Sequence, residues 1–315
     1  YTLAPVPGAI RAVGAEAVLV EIDENLRLDL DDLDAKIASS GSRVLLLSHM
    51  RGHLCDMERL MALCDAAQVP VIEDCAHTMG ADWGGLPSGR HGRMACYSTQ
   101  TYKHVNSGEG GLIVSDDAGA MAASVLLSGS YMLYGAHLAA PPADAFAELR
   151  LDTPNISGRM DNLRAAILRP QLGLLVARRR AWGARYGIVE KALRETGLAE
   201  LPVRPPKEGF VGSSIQFLLA GWAGDEIADF TARCGARGVV LAWFGAPEPA
   251  GYTSAYRHWA YAAPTVLPAT DAILAELLDM RLPLSFSPED CALIGRILAE
   301  ELALGQAGRQ TRIGE

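Results

Sequence analysis

The chain of 315 residues is short of several things, and each shortage excludes a class of protein. Six cysteines lie scattered at positions 55, 64, 75, 96, 234 and 291, and none forms a C-x-x-C pair. That spacing is no disulfide framework; it predicts reduced, mostly buried thiols and a cytoplasmic location. No apolar run reaches the ~18 residues that a membrane-spanning helix needs. The opening stretch, YTLAPVPGAIRAVGAEAVLV, lacks the basic n-region and clean apolar h-region of a signal peptide. It also lacks an initiating methionine, from which we expect the sequence to begin inside a longer protein. Basic residues number 28 against 37 acidic ones, a net charge of −9, with no basic block. Nucleic acid and anionic membranes are therefore not expected as main partners. No G-x-G-x-x-G joins an early strand to a helix, and neither a P-loop nor a G-x-S-x-G elbow occurs.

What is present is ordinary globular composition, 50% hydrophobic and 21% charged, with length for about two domains. The first half alternates strand and helix signals. Apolar runs at 17–22, 43–47, 69–72, 94–98 and 111–115 read as strands. Helical spacing fills 29–38 and 56–68, the second with Asp56 as N-cap, and Asp116 or Asp117 caps a further helix ending near Leu127. This order predicts an α/β fold, a mostly parallel sheet covered by helices. Residues 131–157 read as loop, broken by Pro141-Pro142. Residues 159–195 read as one long helix or two, kinked or separated at Pro170, with Leu163, Ala166, Ile167, Leu172 and Leu175 on one stripe. Strands at 214–219, 239–243 and 280–284, with helices at 225–234, 269–278 and 288–302, predict a smaller α+β domain.

Basic usage carries more information than total charge. Of the 28 basic residues only Lys36, Lys103, Lys191 and Lys207 are lysines. A lysine kept in that background is either chance or a position needing an amine that can lose its proton, which guanidinium does not supply. Lys103 and Ser98 fall at or just past one strand, in ACYSTQTYKHVNSGEGG. Asp74 ends another, in VPVIEDCAHTMG, with His77 three residues on. Ligands of open α/β sheets sit outside the carboxyl ends of the strands. An acid and a lysine at two such ends suit pyridoxal 5′-phosphate (PLP). The lysine condenses with its aldehyde, the acid keeps its ring nitrogen protonated, a hydroxyl binds its phosphate and His77 packs on its ring. Taken singly, each residue has a plainer reading: a turn or cap aspartate, a solvated lysine, a hydrogen-bonded structural histidine, a tight S-G-E-G-G turn. A competing chemistry is zinc, for which His49 and His53 form an i, i+4 pair with Cys55 close by. Gly52 argues against the helix that would align the two imidazoles, and we expect no metal.

VIEDCAHTMGA followed by YSTQTYKHVNSGEGGLIVSDD closely resembles the DegT/DnrJ/StrS family of PLP-dependent sugar aminotransferases, of the aspartate aminotransferase fold type I. The likeness continues in VGAEAVLVEIDENLRLDLDDLDAKI, LLLSHMRGHLCDMERLMALCDAAQ, GRMDNLRAAILRPQL and RLPLSFSPED, and so covers most of the chain. The resemblance implies a large PLP-binding domain over residues 1–178, its N-terminal part missing, and a small C-terminal domain over 179–315. It implies Lys103 as the cofactor-bearing lysine and proton shuttle, Asp74 as partner of the pyridinium nitrogen, His77 against the cofactor and Ser98 as phosphate-binding hydroxyl. Relatives without the lysine are dehydratases, so Lys103 favours transamination. The implied reaction moves an amino group from glutamate or glutamine to a keto sugar, nucleotide-linked, in a homodimer with shared active sites. Three departures stand out. The family's N-terminal segment, with its Gly-Ser/Thr phosphate contact, has no counterpart before Tyr1. The asparagine that reaches the partner's phosphate is replaced by Ser157, with Asn155 two residues earlier, so either is a candidate. Gln100 stands where histidine is frequent. The alternative is a degenerate homologue with a binding or regulatory role and no turnover. Sugar choice is expected to rest on loops 131–147 and 244–262.

Overall fold

The structure is a computed structural model that describes residues 1–129, 133–253 and 255–314, the side chains of 311–314 excepted. Tyr1 and the chain that follows run through α1 (Pro5–Ala12), α2 (Leu30–Ser40), β1 (Leu45–Ser48), α3 (Met57–Ala66) and β2 (Val71–Asp74). Next come β3 (Asp82–Trp83), β4 (Leu86–Pro87), β5 (Met94–Ser98), β6 (Gly111–Val114), α4 (Ala118–Leu127), α5 (Leu149–Asp152) and α6 (Asn162–Leu172). The remainder is α7 (Leu175–Thr196), β7 (Glu208–Gly209), β8 (Ser214–Leu218), α8 (Gly224–Ala236), β9 (Ala242–Trp243), α9 (Pro268–Glu276), β10 (Leu277–Arg281) and α10 (Pro288–Gly314). Tyr131 and Met132, the start of one expected substrate loop, lie outside the described residues.

Aspartates start four of the helices. Asp29, Asp56, Asp117 and Asp161 each sit at an N-cap and accept backbone N–H groups of the first turn that have no helical partner. Their charge also suits the positive end of the helix dipole.

Packing divides the chain into two compact units, Arg43–His49 with Asp56–Val176, and Tyr1–Ser42 with Met50–Cys55 and Ala177–Glu315. The first holds a four-stranded sheet in the order β1-β2-β5-β6. β1, β2 and β5 run parallel and β6 returns antiparallel to β5. This is the mostly parallel α/β sheet expected. The second unit carries an antiparallel sheet, β8-β10-β9, with α8 and α10. Its core joins Val189, Leu193, Ile215, Phe217, Phe230 and Leu298, in keeping with the smaller α+β domain expected. Burial of this kind contributes roughly 25 cal/mol per Å² of apolar surface. The N-terminal residues pack in this unit too: Ile22 and Leu26 join Leu218, Phe244 and Leu277. The Ile22 amide donates to Thr270, 248 positions away.

Several boundaries differ from the sequence reading, each for a packing reason. Residues 17–22 form no strand; only Ile22 bridges to Leu28, because Asp23 accepts the Asn25 and Arg27 amides and turns the chain back. The helix expected at 269–278 stops at Glu276, since Leu277 and Leu278 are taken up as strand partners of Leu218 and Phe217. Pro170 lies inside α6, and the break between α6 and α7 falls after it, at residues 173–174. The stripe on α6 is largely solvent-facing: Leu163 is 72%, Ile167 43% and Leu172 45% exposed, while Leu168 is the buried residue of that helix.

Candidate active site

Period-two geometry places the site. Along β2, Val71 and Glu73 are buried while Ile72 and Asp74 lie half-buried on the other face. In parallel register Ser48 stands opposite Asp74, and Asp74 opposite Cys96. Ser98, two residues beyond Cys96, shares their face. One sheet face therefore presents Ser48, Asp74, Cys96 and Ser98 in a row at the carboxyl ends of adjacent strands.

Past β5 the chain turns tightly. The Gln100 amide donates to Ser98 Oγ at 3.3 Å, and the Lys103 amide to the Gln100 carbonyl at 2.9 Å. Gly110 must be glycine: its φ is 128°, and a Cβ there would lie 2.8 Å from Thr99 Oγ1. The S-G-E-G-G segment is thus a tight turn, bonded back to Thr99 and Thr101 through the backbone. Lys103 Nζ reaches His77 Nε2 at 2.8 Å. An ammonium only donates, so the imidazole accepts at Nε2 when Lys103 is charged. Asp74 Oδ1 accepts the Ala76 amide at 3.1 Å and Oδ2 accepts the Ser48 hydroxyl at 3.3 Å. Next to Lys103, His104 is buried, and burial together with the Lys103 charge pulls its pKa down to about 4. Burial, helped by the Asp74 charge, pushes the Cys96 thiol up to about 11, so it stays neutral beside the carboxylate.

The zinc reading does not survive. The residues between His49 and His53 form a short 3-10 turn with Arg51 at φ 56°, not an α-helix. His49 Nε2 turns to Glu73 at 3.1 Å, and His53 Nε2 to Gln216 Oε1 at 3.0 Å. Among the described residues His49, Glu73 and Cys75 do gather within 4.8 Å of one another. Yet Glu73 already receives His49 and the amides of Gly89, His91 and Gly92, which uses its acceptor positions. Burial would raise the Glu73 pKa, but His49 and these amides outweigh it and hold the carboxyl at about 2. Burial keeps the Cys75 thiol protonated. This cluster is a saturated structural clamp on the 89–92 turn.

Asn155 and Ser157 lie apart from that row in the hydrogen-bond pattern. Asn155 Oδ1 accepts the Ser157 amide at 2.8 Å and its hydroxyl at 3.3 Å, and the Ile156 amide donates to Leu127 at the end of α4. Both are exposed, and Ser157 has a φ of 51°. The cap of α6 is Asp161, which accepts the Arg164 amide at 2.8 Å. Ser48 was not foreseen, because strand register is invisible in one strand's sequence.

The donor set fits PLP. It supplies a primary amine for the aldehyde, a carboxylate with lone pairs to spare for a ring N–H, and a half-buried hydroxyl, Ser98, whose own proton is free to meet a phosphate oxygen.

Comparison with known proteins agrees. A profile of the DegT/DnrJ/EryC1/StrS aminotransferase family matches residues 2–298, so the chain belongs to that family of PLP-dependent enzymes. GDP-perosamine synthase of Escherichia coli O157:H7 is 33% identical over 110 residues, 35% of this chain and 30% of that protein. L-glutamine:scyllo-inosose aminotransferase of Streptomyces griseus is 35% identical over 111 residues, 35% of this chain and 26% of that protein. The matched stretches thus span under a third of these relatives' length. The aminotransferase TlmJ from Streptoalloteichus hindustanus superposes with a TM-score of 0.80 at 19% identity, over 98% of this chain and 78% of that one, which shows the fold.

Proposed function

We propose that this member of the family is a PLP-dependent aminotransferase that moves an amino group from glutamate or glutamine to a keto sugar, nucleotide-linked. The observation that carries the reading is the Lys103 amine 2.8 Å from His77, at the strand ends that also present Asp74. The substrate classes are supported by the relatives' names, one carrying GDP and perosamine, the other glutamine and scyllo-inosose. The cofactor region is assigned to residues 1–178 and the smaller domain to 179–315. Among the described residues no helix is long and apolar enough to cross a membrane; a cytoplasmic location is part of the proposal.

Bound there, PLP supplies an aldehyde that condenses with amines and a ring that withdraws electrons from the substrate carbon. The protein supplies the rest. Asp74 holds the ring N–H by opposite charge. Ser98 donates to the phosphate. Lys103 would offer its amine to the aldehyde and, as a free amine, would hold and move a proton at Nζ beside the substrate carbon. His77 Nε2 receives a hydrogen bond from Lys103, which orients the amine. Asn155 or Ser157 is assigned to the phosphate in a partner subunit. A homodimer is supported by the exposed apolar side chains Ile156, Leu163 and Ile167 in the same stretch of chain.

The test is the visible spectrum of the PLP-loaded protein. Addition of L-glutamate or L-glutamine should bleach the band, and a keto nucleotide sugar should restore it. A loaded protein that no donor bleaches points instead to a binding or regulatory role. For the shared site, mixing Lys103→Ala subunits with subunits changed at Asn155 and Ser157 should restore part of the activity through heterodimers. No recovery despite confirmed heterodimers places the whole phosphate pocket within one chain.

A further inference from the structure

We propose that Ser48 is a positioning residue for Asp74, setting the angle at which its carboxylate meets the cofactor's ring nitrogen. The inference rests on the role given to Asp74 above and adds a residue from a different strand. Ser48 and Asp74 are register partners in the parallel β1–β2 pair, so their side chains rise side by side on the half-buried face. The torsion that turns an aspartate carboxylate is soft and has no sharp minimum of its own. Here both oxygens are steered. Oδ1 is held by the Ala76 amide at 3.1 Å, within Asp74's own turn, and Oδ2 by the Ser48 hydroxyl at 3.3 Å, from the neighbouring strand. The backbone is pinned at the same point, since the His49 amide donates to the Asp74 carbonyl at 3.2 Å.

The chemistry of the neighbours is what makes the hydroxyl apt. A cation beside Asp74 would fix the carboxylate but would also cancel the charge that the ring nitrogen needs. Serine donates one hydrogen bond and carries no charge. On the opposite flank, the register partner Cys96 directs its thiol to the Glu73 carbonyl at 3.7 Å. The carboxylate therefore sits between two neutral side chains, of which the hydroxyl bonds to it, and keeps its full charge for the ligand.

Three variants of the PLP-loaded protein test this: Ser48→Ala, Ser48→Thr and Asp74→Asn. Ser48→Ala should raise the PLP dissociation constant and lower kcat, each by about two- to tenfold, the span expected for one hydrogen bond. The KM of the amino donor should not move, and the visible band of the bound cofactor should shift with the altered ring-nitrogen contact. Ser48→Thr keeps the hydroxyl on a strand-favouring residue and should restore all three. Wild-type affinity, band and kcat in Ser48→Ala, with Asp74→Asn impaired, would overturn the inference alone. An unimpaired Asp74→Asn would overturn it together with the reading of the site. Equal impairment of Ser48→Ala and Ser48→Thr would also overturn it, by showing that packing and not the hydroxyl matters at that position.

Discussion

Two groups of polar residues, one in each unit, are put to opposite use. In the second unit Arg51, Gln216, His53 and Asp279 are all buried. Asp279 receives Arg51 at 2.6 Å, Tyr252 at 2.8 Å and Gln216 at 2.6 Å, and Gln216 in turn holds His53 at 3.0 Å. The Arg51 guanidinium also lies 4.8 Å from the centre of the Tyr252 ring. In the first unit Ser48, Asp74, His77, Ser98 and Lys103 are only half-buried, and Asp74 accepts just one hydroxyl and one amide. A buried network built round a paired carboxylate specifies a core, and breaking it leaves a charge without a partner. A half-buried polar cluster at strand ends is where an open α/β sheet receives a ligand. The same residue types serve both ends; what differs is burial and the partners of the carboxylate, a cation, a phenol and an amide for Asp279 against one hydroxyl and one backbone amide for Asp74.

Substitution should separate the two. Lys103→Ala should abolish transamination while leaving the thermal unfolding of the unloaded protein near that of the wild type, and Lys103→Arg should be as inactive, because guanidinium neither condenses with an aldehyde nor readily deprotonates. Turnover in either variant would end the assignment. Asp279→Ala should do the reverse, costing roughly 3–5 kcal/mol of stability by stranding Arg51; urea unfolding measures it, and a loss under 1 kcal/mol would show that the Arg51–Asp279 pair does not hold the core in solution.

Acid sharpens the contrast within the first unit. The Glu73 carboxyl is held at about 2 in the fold against an ordinary 4.5. That stability is fully present above pH ~4.5 and is lost as the pH falls toward 2, roughly 3 kcal/mol in all at ~1.4 kcal/mol per unit. His104 is held at about 4 against 6.5 and is buried neutral. Below pH ~6.5 the unfolded chain takes up the proton that the fold refuses, so stability also falls between 6.5 and 4, by a further ~3 kcal/mol. Unfolding free energies across pH 7 to 3 should flatten below 4.5 in Glu73→Gln and between 6.5 and 4 in His104→Gln. Parallel curves for wild type and variants would refute both linkages. The smallest expected effect is Asp56→Ala, which removes the α3 cap and costs about 1 kcal/mol, visible as a lowered urea midpoint with kcat unchanged.

The local signals in the sequence proved readable where one segment decides its own structure. Asp56 and Asp117 cap the helices expected of them, and Asp74 and Lys103 stand at the strand ends inferred from apolar runs. What depended on a distant partner was hidden. Leu277 and Leu278 continue a helical pattern, yet pairing with β8 makes them strand. Leu163 and Ile167 keep a helical stripe but face outward, so their spacing told of a helix without telling which side is buried. Ser48 is an unremarkable serine until the register sets it against Asp74.

The chain order of the two units has a consequence for biosynthesis. Residues 1–42 leave the ribosome well before residues 177–315, with which they share a unit. At a synthesis rate of about 5–20 residues per second, the wait is on the order of ten seconds. Over that interval Ile22 and Leu26 have no core to enter, while the sheet that carries Lys103 has already been delivered. Residues 1–42 are meanwhile exposed to trapping and aggregation, and a chaperone that binds short apolar stretches would find a target in them.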